Sequence, residues 1–109
     1  MHNIFGFGYG RPACRIGDID FVHCIGNPRR AMGSRNVFVN GRPWSRQMDY
    51  NTPHLLPCKC PVCCCIHAAP ISKGSRTVKV NWRGAGRMFD GISGCTAVAW
   101  GSWNVRAGG

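Results

Sequence analysis

The sequence predicts a small all-β protein built from short hairpins. Gly and Pro, with 15 and 7 copies, make up about a fifth of the 109 residues, and this proportion disfavours long helices and favours short strands with tight turns. Two short patterns recur three times along the chain. Alternating β-branched and aromatic residues beside an Asn-Gly pair are typical of a β-hairpin. A chain of this length is expected to form one domain.

The repeated patterns are Arg-x-x-Asp and Gly-Ser-x-Asn/Thr-Val, and they alternate along the chain. The first occupies 15–18, 46–49 and 87–90, and the second occupies 33–37, 74–78 and 101–105. From Gly33 to Arg46 is 13 positions, and from Gly74 to Arg87 is again 13. A constant spacing indicates a rigid unit, whereas the other intervals, of 18, 28 and 14 positions, indicate loops. The sequence therefore predicts a threefold internal repeat.

Two of the predicted hairpins lie in the segments of constant spacing. The first has Asn40 and Gly41 at its turn. In the second, Trp82 stands where the first has its turn glycine, which predicts a different turn. Residues 10–15 match only the second arm of a hairpin and residues 101–109 only the first arm, so the two ends are predicted to pair. This closure predicts a compact body with pseudo-threefold symmetry and no free sheet edge.

The charge pattern disfavours enzymes and nucleic-acid binders. The net charge is +10, four aspartates are the only acids, and there is no glutamate. Three of the four aspartates occupy the same repeat position, which predicts that the Arg-Asp pairs fix turns. No run of five basic residues marks a nucleic-acid site, and a zinc hydrolase would need a general base or an H-E-x-x-H pattern. We expect a protein that is not an enzyme and does not bind nucleic acid.

The cysteines indicate metal ligation. The chain has eight, and five of them fall between Cys58 and Cys65. No signal peptide or apolar run of 18 residues is recognisable, so we expect synthesis in a reducing cytoplasm, where metal ligation or free thiols are favoured over disulfides. The cluster also allows a second metal site, a redox pair or a loop disulfide. One function that these cysteines allow is therefore that of a Cys-rich metal-binding or redox module.

The repeat resembles that of the PAAR-repeat family. Pro12–Asp18 is similar to the family signature Pro-Ala-Ala-Arg-Val-Gly-Asp, and Gly33–Pro43 is similar to its strand-turn-strand unit. The resemblance covers residues 10–109 as a single tip domain and leaves residues 1–9 as an N-terminal extension. It implies a small cone of three pseudo-threefold β-hairpin repeats with metal-bound loops at its apex.

The sequence departs from the family pattern at two kinds of position. The small residues near the aspartate are replaced by Gln47–Met48 and Met88–Phe89, and the usual phenylalanine is replaced by Lys79 and Arg106. We expect these substitutions to alter local packing and to leave the repeat register unchanged.

The resemblance also implies a structural metal ion, zinc or alternatively iron. The implied ligands are His23, His54, His67 and Cys95, which lie in the loops after the three Arg-x-x-Asp patterns. Alternates within the first two loops are Cys24, Cys58, Cys60 and Cys63. His23 and His54 each follow their repeat aspartate by five positions. Four such ligands would form a closed tetrahedral site.

By resemblance, the function would be mechanical. Family members cap a trimeric β-helical spike, VgrG-like or a phage central spike, with one tip per trimer, and sharpen it for piercing a host envelope. The implied contact with the envelope is transient. The implied location is the distal tip of the tail spike in a virion, or alternatively the spike of a bacterial secretion system. The absence of an appended effector domain favours the phage.

Overall fold

The computed structural model describes residues 10–22, 28–57 and 63–109, so the predicted N-terminal extension lies outside the described residues. Within these ranges the chain forms short β-strands and no helix, which confirms the all-β prediction. The strands are β1 Arg11–Pro12, β2 Phe38–Val39, β3 Arg42–Pro43, β4 His54–Pro57, β5 Cys63–His67, β6 Lys79–Val80, β7 Arg83–Gly84 and β8 Arg106–Ala107. They form antiparallel pairs: β1 with β8, β2 with β3, β4 with β5, and β6 with β7. These ranges accordingly contain no candidate for a membrane-spanning helix.

Both central hairpins form where the sequence predicts them, but the prediction of a different turn in the second one was wrong. The β2–β3 turn has φ of 54° at Asn40 and 77° at Gly41. The β6–β7 turn has nearly the same angles, 53° at Asn81 and 69° at Trp82. Positive φ at both central residues is the property of the type I′ turn, whose twist matches that of the flanking strands. The two-residue connection therefore imposes a glycine-like conformation on Trp82.

Replacing Trp82 by glycine is expected to stabilise the fold. The Trp82 side chain is 95% exposed, so its removal loses little packing, whereas a non-glycine residue in the left-handed region costs about 1–2 kcal/mol. The greater freedom of glycine in the unfolded chain offsets part of the gain. We expect Trp82→Gly to raise the free energy of unfolding by about 0.5–1 kcal/mol, measured by urea denaturation.

The matched control is Gly41→Ala in the corresponding turn. A Cβ at Gly41 would have no atom within 4 Å, and φ there is 77°. Its expected loss of about 1 kcal/mol therefore comes from the backbone alone. A loss of stability in Trp82→Gly would show that the exposed indole contributes more than its conformation costs.

The two ends of the described chain pair as predicted. Arg11 lies opposite Ala107 and Pro12 lies opposite Arg106 in the antiparallel β1–β8 pair. Because the first and last of the described strands are joined, the body closes on itself. Single-residue bridges connect this pair and the two central hairpins: Arg15 with Trp44, Arg46 with Ala85, and Arg87 with Ala13.

Each Arg-x-x-Asp segment is a turn held by its aspartate, which confirms the structural role predicted for these acids. Oδ2 of Asp18 accepts hydrogen bonds from the backbone N and Nε of Arg15, at 2.8 and 2.9 Å, and Oδ1 accepts one from Nη2 at 3.0 Å. The Asp18 amide donates to the Arg15 carbonyl at 2.9 Å. The same four bonds recur in the segments Arg46–Asp49 and Arg87–Asp90.

The third residue of each of these turns has positive φ. The value is 93° at Gly17, 75° at Met48 and 69° at Phe89. Type II turns require this conformation at the corresponding position. Met48 and Phe89, which replace the small residues of the family pattern, therefore form the same turn with a strained backbone. Hydrogen bonds to the aspartate hold that conformation in place.

A second arginine reaches each aspartate from a distant part of the chain. The pairs, by Nη and Oδ1, are Arg42 with Asp18 at 3.0 Å, Arg83 with Asp49 at 2.9 Å, and Arg11 with Asp90. Each of these arginines stands four residues before the arginine of the next Arg-x-x-Asp segment. The full pattern is thus Arg-x-x-x-Arg-x-x-Asp, and the sequence analysis overlooked its first residue. These pairs link the three turns in a cycle.

A closed ring of three backbone hydrogen bonds lies at the centre of this cycle. Cys14 N donates to Gly86 O at 3.1 Å, Gly86 N to Ser45 O at 2.9 Å, and Ser45 N to Cys14 O at 3.0 Å. All three residues are buried. A Cβ at position 86 would lie 2.5 Å from Ser45 O and 2.7 Å from Cys14 Sγ, so only glycine fits there. Burial raises the pKa of the Cys14 thiol, which stays protonated inside the core.

The apolar core is small and divided. One cluster contains the buried residues Cys14, Ala69, Ile71, Ile92 and Val98, and the other contains Val80, Ala85 and Ala107. Cores of this size supply only a few kcal/mol in a small domain, which makes the buried ion pairs important to stability. Cys95 packs against the first cluster and so places the candidate site at its edge.

Candidate metal centre

The β4–β5 hairpin brings two histidines together. His54, the first residue of β4, lies directly opposite His67, the last residue of β5. Side chains of directly opposed residues project on the same side of an antiparallel pair, with Cβ atoms about 4.5–5.5 Å apart. The two imidazole rings are correspondingly close, with centroids 4.5 Å apart and planes at 63°.

A loop from a distant part of the chain places Cys95 against this pair. The Cys95 amide donates to the Ile92 carbonyl at 3.0 Å, and the Ile92 amide donates to the Thr96 carbonyl at 2.9 Å. Gly94, with φ of 58°, allows the tight reversal. Cys95 Sγ lies 3.2 Å from His54 Nε2. The sequence predicted this cysteine from its place in the third loop.

His54, His67 and Cys95 form a group that could hold a metal ion. One ligand atom from each lies within 4.8 Å of the other two, and within the described ranges this is the one His/Cys/Asp/Glu group that does so. A tetrahedral zinc ion with Zn–N near 2.1 Å and Zn–S near 2.3 Å separates its N and S ligands by about 3.6 Å. The 3.2 Å between His54 Nε2 and Cys95 Sγ is close to this value, so the donor set and its spacing fit zinc. Without a metal, the same contact is a thiol-imidazole hydrogen bond.

The backbone selects the tautomer of His54 that metal binding requires. His54 Nδ1 lies 2.8 Å from the Thr52 carbonyl oxygen. A carbonyl can only accept, so Nδ1 carries the proton and a neutral imidazole presents its lone pair at Nε2. That lone pair is directed to the Cys95 sulfur and to the space a metal would occupy. Metal-ligating histidines are usually oriented by such a backbone carbonyl.

A buried polar network supports the residues just before His54. Asn51 Oδ1 accepts from the Ala69 amide at 2.9 Å, and Asn51 Nδ2 donates to Asp20 Oδ2 at 3.1 Å. Asp20 also pairs with Arg30, whose Nε lies 3.3 Å from Oδ1, and both side chains are fully buried. These contacts tie the segments before β4 and after β5 to the body. Asp20, the one aspartate outside the repeat, thus supports the site from beneath.

The ionisation of Asp20 couples this network to pH. Burial raises the pKa of Asp20 from 3.8 to about 6, and Arg30, Asn51 and His54 partly oppose that shift. Because the folded-state pKa lies above the unfolded value, the contribution of this carboxyl to stability is fully present below pH 3.8 and is lost as the pH rises through about 6. At neutral pH, Asp20 is ionised and is held by its partners.

The structure brings three of the four implied ligands together. His23 and the alternates Cys24, Cys58 and Cys60 lie outside the described residues. Cys63 begins β5, where its backbone pairs with Pro57. Three protein ligands with a water would form an open site, and a fourth protein ligand would form a closed structural one. The sequence analysis did not predict the polar network of Asp20, Arg30 and Asn51. It distinguished Asp20 only as the aspartate outside the repeat.

Comparison with known proteins leaves the family unassigned. No protein-family model matches this chain, and no curated protein has significant similarity to it. The structure by itself establishes a small β protein made of short antiparallel hairpins, with a His/Cys group at metal-binding distance.

Proposed function

We propose that this chain is a spike-tip protein of the PAAR-repeat type. In this role it caps a trimeric β-helical spike, sharpens it for crossing a host envelope, and has its apex held together by a bound metal ion. In this proposal the body is a threefold repeat, the partner is the spike trimer, and the metal ion holds the apex. The protein is located at the tip of a phage tail or of a related secretion spike.

The observation that carries the proposal is the cyclic set of contacts around the body. Three Arg-x-x-Asp turns share one hydrogen-bond pattern, and each aspartate receives a second arginine from the next segment in the cycle. The ring of Cys14, Ser45 and Gly86 lies where a pseudo-threefold axis would pass. A single chain with three such units can match the symmetry of a trimer, with one chain per three subunits.

A rim of turns offers the surface for that partner. The side chain of Asn40 contacts Asn104, that of Asn81 contacts Asn36, and Arg76 contacts the Gly109 carbonyl. We call residues 34–36, 40–41, 75–77, 81–82, 102–104 and 108–109 the turn rim. It carries Trp82 and Trp103, which are 95% and 85% exposed. Exposed tryptophans are enriched among the residues that dominate binding energy at interfaces.

The metal group supports the apical part of the proposal. His54 and His67 belong to the β4–β5 hairpin, and Cys95 belongs to the loop at 92–96, so one ion would tie two separate segments together. His23 would complete the site as the fourth ligand. Coordination by four ligands gives a small fold stability that its apolar core lacks, and an apex tied in this way would resist fraying under load.

The proposal predicts one chain per spike trimer. Purified protein would be mixed with the trimeric spike protein encoded in the same genome, and the complex weighed by native mass spectrometry. We expect one copy bound per trimer. The double variant Trp82→Ser/Trp103→Ser is expected to weaken binding by at least about tenfold, since hot-spot residues each contribute about 2 kcal/mol or more.

Ile66→Ser is the matched control for that experiment. Ile66 is also highly exposed, but it lies in β5 beside His67 and is not part of the turn rim. We expect this variant to bind as the unmodified protein does. No complex, or three copies per trimer, would contradict the proposal. A protein that holds metal but binds no spike would favour the Cys-rich metal-binding module instead.

A further inference from the structure

A strongly basic groove lies between the second Gly-Ser-x-Asn/Thr-Val segment and the third Arg-x-x-Asp turn. Its volume is about 460 Å³. Four cationic side chains and one acid line it: Arg11, Lys73, Arg76, Arg87 and Asp90. We call these five residues the Lys73–Arg76 groove. The groove shares Arg76 with the turn rim, but it contains neither the rim tryptophans nor the metal group.

Two of the four cationic side chains already bind groups within the fold. Arg87 gives Nε and Nη2 to Asp90 and Nη1 to the Gly108 carbonyl, and it is nearly buried. Arg11 gives Nη2 to the same aspartate and is partly exposed. Asp90 is therefore already neutralised by two arginines. Asp90 therefore does not balance any further positive charge in the groove.

The other two cations are exposed and available. Lys73 and Arg76 project at the mouth of the groove. Within the described part of the chain neither pairs with an aspartate, and Arg76 makes one side-chain bond, from Nε to an oxygen of Gly109 at 3.3 Å. Its two terminal nitrogens remain as donors. The turn that carries Arg76 is rigid, because Ser75 Oγ accepts from the Thr77 and Val78 amides at 3.2 and 2.9 Å.

The fold does not require cations at these two positions. The corresponding positions of the first segment are Met32 and Arg35. Those of the last segment are Trp100 and Trp103. The same serine turn forms in all three segments, with Ser34, Ser75 and Ser102 accepting from the amides two and three residues ahead. The stability of the fold therefore does not explain why cationic residues occupy positions 73 and 76.

We propose that the Lys73–Arg76 groove binds a phosphate group, as a phosphomonoester or free phosphate. Guanidinium groups match phosphate oxygens in a planar, two-point geometry, and an ammonium adds a mobile charge. Lys73 and Arg76 contact the phosphate oxygens directly, and the exposed part of Arg11 completes the site from the floor. The surplus charge favours a dianion over a carboxylate. The corresponding groove beside Met32 has one of the two outer cations and binds phosphate more weakly.

The test compares two charge-matched double variants. Lys73→Gln/Arg76→Gln removes the outer cations of the groove, and Arg29→Gln/Lys79→Gln removes two exposed cations elsewhere. Inorganic phosphate is titrated into each protein at low ionic strength and followed by NMR. We expect the groove variant to lose affinity by about tenfold or more, as for loss of charge-assisted hydrogen bonds, while the control changes by less than about twofold.

A second arm identifies the source of the phosphate. Vesicles of phosphatidylcholine with phosphatidic acid, whose headgroup is a phosphomonoester, are compared with vesicles in which phosphatidylglycerol supplies the same surface charge. Preferential binding to phosphatidic acid that only the groove variant loses identifies a lipid headgroup. Phosphate binding without vesicle binding identifies a free phosphate. Equal losses in both double variants, or no phosphate binding at all, would overturn the proposal.

Discussion

His54→Ala is expected to abolish stoichiometric metal binding and to lower the thermal midpoint by about 15 °C or more. A ligand present at about 1,000 times its Kd stabilises a fold by about 4 kcal/mol. For a domain of this size, each kcal/mol corresponds to about 4–8 °C. The effect is large because His54 contacts both Cys95 and His67. Metal content by elemental analysis and scanning calorimetry would measure the two quantities.

A chelator separates the metal contribution from packing. The unmodified protein with EDTA is expected to fall close to the stability of His54→Ala, whereas the variant should not respond to EDTA. The remaining difference between them reports the lost imidazole packing. If the purified protein contains no metal and EDTA leaves its midpoint unchanged, the site assignment fails.

Cobalt substitution tests the ligand identities separately. Cobalt(II) coordinated by a thiolate shows a sulfur-to-metal charge-transfer band. We expect that band in the cobalt-loaded protein and its loss in Cys95→Ser. His67→Ala should retain the band with weaker affinity, because the thiolate remains. A band that survives Cys95→Ser would assign the sulfur ligand to another cysteine.

Asp49→Asn is expected to lower the free energy of unfolding by about 3–5 kcal/mol, the usual cost of removing one partner of a buried ion pair. Asp49 is fully buried. Its Oδ2 accepts from Arg46 N and Nε at 2.9 and 2.7 Å, and its Oδ1 accepts from Arg46 Nη2 and Arg83 Nη1 at 3.0 and 2.9 Å. An amide would turn one acceptor into a donor that faces donors. Urea denaturation would measure the change.

Arg83→Gln is the control that separates the buried partner from the exposed one. The Arg83 side chain is 43% exposed, so water replaces much of its interaction with Asp49, and we expect a loss of about 1 kcal/mol or less. A loss in Arg83→Gln as large as that in Asp49→Asn would mean that the cyclic Arg83–Asp49 pair, and not the Arg46–Asp49 turn, supplies most of this stability.

The hairpins were predictable because neighbouring residues in the sequence specify them. Asn40-Gly41 between two short apolar runs specifies a two-residue hairpin turn, and the structure contains it. The pairing of the chain ends was predictable because each end matched one arm of the repeat. The turn at Trp82 was not, because tryptophan has no intrinsic preference for positive φ. The pairing of β6 with β7 imposed it.

The candidate site was predictable in part. The resemblance to the PAAR-repeat family implied His23, His54, His67 and Cys95 as ligands, and the structure brings the last three together. The carbonyl of Thr52 that orients His54, and the buried pair of Asp20 and Arg30 beneath, were not predicted. Both depend on segments that are distant in sequence or on the path of a loop, and no spacing rule encodes them.

The sequence by itself determined the strand-and-turn composition, the positions of the Arg-x-x-Asp turns and the residue types available to a metal. These follow from short-range conformational preferences and from the ligand chemistry of individual side chains. Neither depends on tertiary contacts. Only the tertiary structure decided which arginine reaches which aspartate, and which histidine lies against Cys95. The cyclic pairs join residues 24, 34 and 79 positions apart, and His54 and Cys95 are 41 apart. Contacts over such separations form only when the whole chain folds. The entropy lost in ordering the loops between them is offset only by the contacts of the complete fold.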